Sequence, residues 1–359
     1  MNPTSRPYRF LAFDISLFSA KVRPALRYKQ LWYEEERADL GEIQKRTGLG
    51  FMPIVITPDD ETWQDSTDIY ERLEARHPEP PLFPRTPLQR LTAHLIELYH
   101  DEFSLLPAMH YRWGSRLGEA TARARFSAMI GNRELGDFAA DRMVKARRFV
   151  GATDDTATVT EAHTEDLLAA LSAHFSANQY LLGDRMTFAD CALMGTFYGH
   201  LFNDLVPRRL LLETAEPVVG WIERCNFPRA EKQGALLSDD ALAPTLIDVL
   251  RVMGHDASPL IGAMADAIDQ WADDNPGQWQ QPPRMVGEVT ADLRGTPVTR
   301  VAMPYTLKMI ANACDAYQSM SSHDRTRADQ ELDNTGWVPL LQRPLRHRIV
   351  RKGFELTLE

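Results

Sequence analysis

Two serines follow an apolar stretch near the beginning of the chain, in the segment FDISLFSAKVRPAL, residues 13–26. Ser16 and Ser19 have the spacing of a redox Cys-x-x-Cys loop, with oxygen in place of both sulfurs. A helix that begins here would turn its unpaired N–H groups and the positive end of its dipole towards the loop, which favours an anion such as a thiolate. The alternative is that one serine only caps the helix, which stabilises it by ~1 kcal/mol.

Two further short motifs could hold a ligand. Met52-Pro53 precedes the apolar segment IVIT, and an X-Pro bond at a strand start can be cis and leave the preceding backbone open for pairing. A trans proline that begins a strand is the alternative. In WQDSTDIYERL, Asp65 and Ser66 place an acid and a hydroxyl at a helix start. Either could be a cap, and together they form a polar pocket suited to the ammonium and carboxylate of an amino acid.

The elements that position these motifs follow from the apolar spacing of residues 8–80. The pattern predicts the order βαβαββα, a βαβ unit followed by a hairpin and a helix. The predicted strands are YRFLAFDI, LWYEEER, PIVIT and TWQ, and the predicted helices are SAKVRPALRYKQ, DLGEIQKRTGLG and TDIYERLEARH. The proline-rich segment PEPPLFPRTP (78–87) predicts a stiff linker, and the chain from there to about residue 230 is predicted to be helical.

Residues 231–359 form a third section that is too long and too apolar for a disordered tail. An amphipathic helix is predicted in LIGAMADAIDQW, and a β-hairpin is predicted on either side of Arg294-Gly295. The segment YTLKMIANACDAY then returns to helical spacing. The basic stretch RPLRHRIVRK near the end is interpreted as a solvated face rather than a site for an anionic partner.

Charge, apolar runs and cysteine content exclude several classes of protein. A formal net charge of -10 over 359 residues argues against a general nucleic-acid binder. The chain shows no apolar leader and no run of 18 apolar residues, so neither secretion nor a membrane span is expected. Three widely spaced cysteines fit a reducing cytoplasm. Two Glu-x-x-His pairs, Glu74/His77 and Glu97/His100, have a spacing known from di-iron bundles, but we expect no metal site.

The motifs, in this order and spacing, resemble the glutathione S-transferase superfamily. ISLFSAKVRPALRYKQLWYEEERAD looks like the opening of that family, MP matches its cis-proline site, and QDSTDIYERL matches its acid-Ser motif. YLLGDRMTFADCALM is similar to the capping-box helix of the second domain. The resemblance covers residues 8 to about 227. It implies an α/β thioredoxin-like N-terminal domain (1–80) and an all-α C-terminal domain (81–230), followed by a mixed α+β extension (231–359) that it does not cover.

The resemblance also implies roles for individual residues. Ser16 falls where serine-type members donate a hydrogen bond to the thiolate of glutathione, so the reactive sulfur would arrive with this co-substrate. Met52 would pair with the cysteinyl moiety through its backbone, with Pro53 cis. Asp65 and Ser66 would hold the γ-glutamyl end, although the family has a longer Glu where this chain has Asp65. The remaining implied contacts are Lys45 for the glycyl carboxylate and Phe18, His110, Tyr111 and Trp113 for the second substrate.

The leading prediction is therefore a cytoplasmic, homodimeric glutathione transferase that acts on a small, apolar electrophile, with no nucleic-acid or membrane partner. Core packing is the alternative role of Trp113. The competing function is a glutathione-binding or protein-interaction module without turnover, which would use the extension to dock a partner. A disulfide oxidoreductase is disfavoured because Ser16 and Ser19 replace both sulfurs.

Overall fold

A four-stranded mixed sheet forms the first part of the structure, a computed structural model that describes residues 6–359. Its strand order is β2-β1-β3-β4, with β1 parallel to β2 and the other neighbours antiparallel. The predicted order of elements is confirmed. The elements are β1 (Tyr8–Ala12), α1 (Leu17–Tyr28), β2 (Tyr33–Arg37), α2 (Leu40–Thr47), β3 (Ile54–Ile56), β4 (Thr62–Gln64) and α3 (Ser66–Arg76).

A helical domain follows the proline-rich linker, as predicted. The helices are α4 (Pro87–Glu102), α5 (Leu105–Trp113), α6 (Arg116–Ile130), α7 (Arg133–Ala146), α8 (Ala157–Phe175), α9 (Phe188–Thr196), α10 (Leu205–Thr214) and α11 (Glu216–Asn226). Helix α9 begins with the predicted capping box, in which the Thr187 backbone N–H donates to Asp190 Oδ2 at 2.9 Å. It continues directly into a π-helical turn over Phe197–Phe202.

The extension contains both helices and strands, which confirms its predicted α+β character. Its elements are α12 (Pro244–Asp274), β5 (Gly287–Leu293), β6 (Thr296–Ala302), α13 (Tyr305–Gln318), α14 (Ser322–Glu331), α15 (Val338–Leu341), β7 (Ile349–Lys352) and β8 (Glu355–Leu358). The hairpin β5–β6 turns at Arg294-Gly295, where both residues have positive φ (52° and 84°). The second hairpin, β7–β8, was not predicted.

The extension packs into the core of the protein. Helix α12 lies against α8, and α13 lies against α4. As a result, every residue of α4 from Leu88 to Glu102 is buried except Arg90 and His94. Four residues of the predicted apolar stripe of α12, namely Leu260, Ile261, Met264 and Ile268, are buried as well, and the fifth, Trp271, is half-buried. None of the helices in the described part of the chain is long and apolar enough to cross a bilayer.

A buried hydrogen-bonded chain ties the extension to the helical domain. The Tyr99 hydroxyl lies 2.7 Å from His163 Nε2, and His163 Nδ1 lies 2.6 Å from Asp256 Oδ2 on α12. Arg294, at the tip of the β5–β6 hairpin, donates to both Asp256 oxygens at 2.8 and 3.0 Å. Four separate elements therefore meet through groups that are satisfied only when all of them are in place.

The basic stretch before and within β7 is only partly a solvated face, because Arg346 and Lys352 are exposed whereas Arg343 and Arg351 are largely enclosed. Arg343 pairs with Asp269, and Arg348 pairs with Asp315. Arg351 reaches Asp68 at 3.0 Å, and its side chain is only 11% exposed. The sequence-based interpretation is therefore wrong for Arg351, because acids elsewhere in the same chain use these cations.

Candidate active site

Ser16 lies at the joint between β1 and α1 and is the N-cap of that helix. Its Oγ accepts a hydrogen bond from the Ser19 backbone N–H at 3.3 Å, and the residue is half-buried. A hydroxyl that accepts through its oxygen still carries a proton that it can donate. The arrangement therefore places a hydroxyl donor at the positive end of a helix dipole.

Ser19 occupies a different environment although it lies only one turn further on. It is fully buried, and its Oγ accepts a hydrogen bond from the Phe13 backbone N–H at 3.2 Å. The Ser19 hydroxyl is thus used in a local hydrogen bond within the loop, as expected for a serine in the first turn of a helix. The two serines are chemically unequal, and Ser16 is the one at the outer position.

A buried arginine of the helical domain holds this loop. Arg112 of α5 donates to Ile15 O, Gly199 O and Asp204 Oδ2, each at 2.7 Å. Gly199 permits the close approach, because a Cβ atom there would lie 3.2 Å from Ser16 O and 2.9 Å from Ala20 Cβ. Sequence reasoning missed Arg112, and the only signal is a charged residue inside the otherwise apolar and aromatic segment LLPAMHYRWG.

The second motif lies where β3 begins. The Met52-Pro53 bond is cis, as the resemblance implied. Met52 is half-buried, and the residue before it, Phe51, is 45% exposed. Gln64 Nε2 donates to Phe51 O at 2.8 Å, which ties this segment to the end of β4.

The third motif caps α3. Asp65 has φ +79°, and its Oδ1 accepts hydrogen bonds from Thr67 N at 3.0 Å and Asp68 N at 3.2 Å. A non-glycine residue at this φ costs of order 1–3 kcal/mol and often marks a functional position. Ser66, the first helical residue, is buried next to it. The acid and the hydroxyl thus lie together at a helix N-terminus, as the pocket prediction requires.

The remaining predicted residues are not all brought together. Lys45 is exposed on α2. Trp113 is 2% exposed, and its ring packs against Phe126 at 5.4 Å, which is the position expected for a core residue. His110 and Tyr111 are also buried, with His110 Nε2 2.9 Å from Glu161. The half-buried Phe18, in contrast, lies in the first turn of α1, next to the Ser16 joint.

A cavity of about 590 Å³ opens beside the loop before Ser16. It lies between the ends of β1 and β2 and the last turns of α6, and both apolar and charged side chains line it. Sequence reasoning missed it because α6 is brought here only by tertiary packing. The lining residues are Ala12, Phe13, Asp14, Ile15, Glu35, Glu36, Arg37, Arg125, Ala128 and Met129.

A buried ionic cluster fixes α1 against α4. Lys21 is fully buried, and its Nζ lies 2.7 Å from Glu97 and 2.8 Å from Asp101. Burial opposes the charge of Lys21, but Asp101 and Glu97 outweigh that effect and raise its pKa. His100 Nδ1 lies 2.7 Å from the same Asp101. The glutamate of each Glu-x-x-His pair therefore forms an ion pair with a lysine. Glu97 pairs with Lys21, and Glu74 pairs with Lys29, whose Nζ lies 2.5 Å away.

Two protein-family models match parts of this chain. The family model of the glutathione S-transferase N-terminal domain matches residues 10–81, and that of the C-terminal domain matches residues 143–227. No protein of curated function matches the sequence.

Solved structures that match include three proteins of low sequence identity. A glutathione S-transferase from Rhodospirillum rubrum is 18% identical with a TM-score of 0.41, and the match covers 67% of this chain and 99% of that one. The β-etherase LigF from Sphingobium is 20% identical with a TM-score of 0.42, covering 63% and 98%. A glutathione S-transferase from Methylobacterium radiotolerans, in complex with glutathione sulfonate, is 20% identical with a TM-score of 0.39, covering 66% and 99%. On the two family models and the architecture described above, residues 10–81 and 143–227 of this chain are the N- and C-terminal domains of a member of the glutathione S-transferase superfamily.

Proposed function

We propose that this protein binds glutathione and that Ser16 stabilises the glutathione thiolate for attack on a small electrophile. The observation that carries the proposal is the Ser16 hydroxyl, which caps α1 and retains a proton to donate at the positive end of that helix. In the reaction the sulfur supplies the electron pair of the new bond, and the leaving group departs with the pair of the bond that breaks. Ser16 remains neutral throughout.

The energy required is within reach of these groups. A free thiol has a pKa near ~8.5, and lowering it by two units takes ~2.7 kcal/mol. A hydroxyl that donates to a charged sulfur contributes about 1.5–3 kcal/mol, and a helix N-terminus adds roughly 0.3–1 kcal/mol. No cysteine of the protein is needed at the loop, which accounts for oxygen at both positions of the Ser-x-x-Ser motif.

In this proposal the other predicted site residues contact the three parts of glutathione in turn. Asp65 and Ser66 hold the γ-glutamyl group, the backbone of Met52 next to Pro53 pairs with the cysteinyl moiety, and Lys45 approaches the glycyl carboxylate. For the electrophile we favour the 590 Å³ cavity beside Phe13 and Ile15, because it opens directly next to the Ser16 loop. His110, Tyr111 and Trp113 then support the helical domain from within.

The two serines provide the decisive experiment. Ser16→Ala is expected to raise the pKa of bound glutathione and to slow conjugation ten- to a hundred-fold, ~1.4–2.7 kcal/mol, with little effect on binding. Ser19→Ala is the matched control, and it is expected to cost stability on the order of 1 kcal/mol and leave the titration unchanged. The ultraviolet absorbance of the bound thiolate, followed against pH, measures both. A shift with Ser19→Ala alone would reverse the assignment.

A glutathione-binding module without turnover is the second candidate. It is favoured by one observation, namely that His110, Tyr111 and Trp113, which were predicted to contact the second substrate, are buried. If the wild-type protein binds glutathione and the thiol titrates as it does in free solution, this second function is the correct one.

The proposal also includes a cytoplasmic location and a homodimeric assembly. Cys191, Cys225 and Cys314 are buried free thiols, which suits a reducing compartment. Light scattering of the purified full chain measures the assembly, and a monomer at micromolar concentration would exclude a stable homodimer.

A further inference from the structure

The extension reaches the start of α3 with a guanidinium group. Arg351 Nη1 donates to Gln64 O at 2.8 Å and to Asp68 Oδ2 at 3.0 Å, and it lies 3.5 Å from Asp65 Oδ2. Arg351 Nη2 donates to Gln64 Oε1 at 3.2 Å. On the other oxygen of Asp68, the ammonium of Lys308 from α13 forms a second ion pair. Two cations of the extension therefore lie against the two acids of the α3 N-terminus.

These ion pairs lie in a poorly solvated place. The exposed fractions of the side chains are 11% for Arg351, 15% for Asp65, 16% for Asp68 and 13% for Lys308. Burial opposes the charge of Lys308, but Asp65 and Asp68 outweigh it and raise the pKa of the ammonium. Water and salt screen such pairs less than surface pairs. The negative charge of the pocket is thus compensated within the chain.

This compensation affects the ligand directly. Asp65 is the residue to which we assign the γ-glutamyl ammonium, and a second cation next to an occupied carboxylate is repelled by the first. The guanidinium is also not available as a receptor for the ligand carboxylate. Arg351 Nε donates to Gly353 O at 3.0 Å, so four of the five N–H groups are taken by protein acceptors. Arg351 therefore fills the place of a ligand cation.

The element that carries Arg351 is a short hairpin that is held at its base, where Ile349 and Leu358 are buried. Strands β7 and β8 have four residues each, and within residues 6–359 they pair only with one another. A two-stranded hairpin is marginally stable by itself, so its position depends on contacts such as Leu358 N to Trp279 O at 2.8 Å. Another extension residue, Arg284, stacks over Phe51 at 4.5 Å, next to the Met52-Pro53 bond. The extension therefore touches the candidate site at both its γ-glutamyl and its cysteinyl side.

We propose that Arg351, supported by Lys308, is an intramolecular competitor that closes the γ-glutamyl half of the site until glutathione displaces the β7–β8 hairpin. This inference rests on the proposed glutathione function. It makes the extension an autoinhibitory element, whose release exposes Asp65 and the N-terminus of α3. A ligand that carries both an ammonium and a carboxylate, as a γ-glutamyl group does, is the kind that can replace both halves of the contact.

The test is glutathione binding by the full chain, measured by calorimetry. Arg351→Gln and Arg351→Ala are each expected to tighten binding at least ten-fold, because the competitor loses its charge. Lys352→Gln is the matched control, since Lys352 is the next residue of β7, is 60% exposed and pairs with Glu359 rather than with an acid of α3. Its affinity is expected to equal that of the wild type. Circular dichroism of each variant checks that the fold is retained.

Hydrogen exchange of residues 349–358 gives a second, independent readout. Saturating glutathione is expected to speed exchange in the wild-type hairpin, because binding displaces it. Slower exchange, or weaker binding by Arg351→Gln, would overturn the inference and make Arg351 part of the binding surface. Equal affinity of the wild type and both Arg351 variants would also overturn it, while glutathione binding itself stands. If neither the wild type nor the Arg351 variants bind glutathione, the proposed function and the inference are both refuted. If only the variants bind glutathione, both are supported.

Discussion

Two neighbouring acids at the start of α3 allow ligand binding to be separated from capping. Asp65→Asn keeps an oxygen that can accept from Thr67 N and Asp68 N, and Asn tolerates the φ of +79° better than most residues. The fold is therefore expected to lose little stability, whereas Asp65→Ala removes the cap and costs ~1 kcal/mol. Loss of the charge removes the pair with the γ-glutamyl ammonium, which is expected to cost about 1.5–3 kcal/mol, or roughly ten- to 150-fold in affinity.

Asp68→Asn provides the contrast, because Asp68 holds the extension without being assigned to the ligand. The Asp68 carboxylate forms ion pairs with Lys308 and with Arg351, whose Nη1 lies 3.0 Å from Asp68 Oδ2. The same Nη1 lies 3.5 Å from Asp65 Oδ2. The change is expected to loosen the extension and to leave glutathione affinity equal or higher. Calorimetry with glutathione, and urea unfolding of the same samples, measure both effects. Equal weakening by Asp65→Asn and Asp68→Asn, or no change with Asp65→Asn, would refute the reasoning.

Two further predictions concern the buried interface with the extension. Truncation at residue 230 is expected to give aggregating protein, because it uncovers α4 and the partners of Ile261, Met264 and Ile268; a monodisperse truncated protein in gel filtration would contradict this. Burial raises the pKa of Glu102 to about 7, above its value in the unfolded chain, so the folded state keeps a proton that the unfolded state has lost. The free energy of unfolding is therefore expected to fall as the pH rises from about 4.5 to 7. The loss is on the order of 3 kcal/mol at most, and urea unfolding against pH should show a flatter profile for Glu102→Gln.

The sequence was sufficient where structure depends on local chemistry. The strands and helices of residues 8–76, the capping box at Thr187 and the turn at Arg294-Gly295 all follow from spacing or turn residues close together in the chain. The position of Ser16 at a helix start follows in the same way. These features need no knowledge of what packs on them.

The parts that were missed depend on distant contacts. Arg351 meets Gln64 across 287 positions of sequence, and no local pattern distinguishes such an arginine from a solvated one. The aromatic cluster around Trp113 suggested a substrate wall, because spacing gives the faces of a helix but does not tell which face meets the core. Likewise, Arg112 acquires its role only because Ile15 and Gly199 are brought to it by packing.

The burial of α4 also constrains the order of events during synthesis. This helix is complete by residue 102, but α13, which covers it, begins only at Tyr305. At roughly 5–20 residues per second, the ribosome needs on the order of 10 s to add the residues of the extension after the first two domains. During that interval an apolar helix face stays open to water and to other nascent chains. We therefore expect this protein to depend on chaperones during translation more than a shorter relative would.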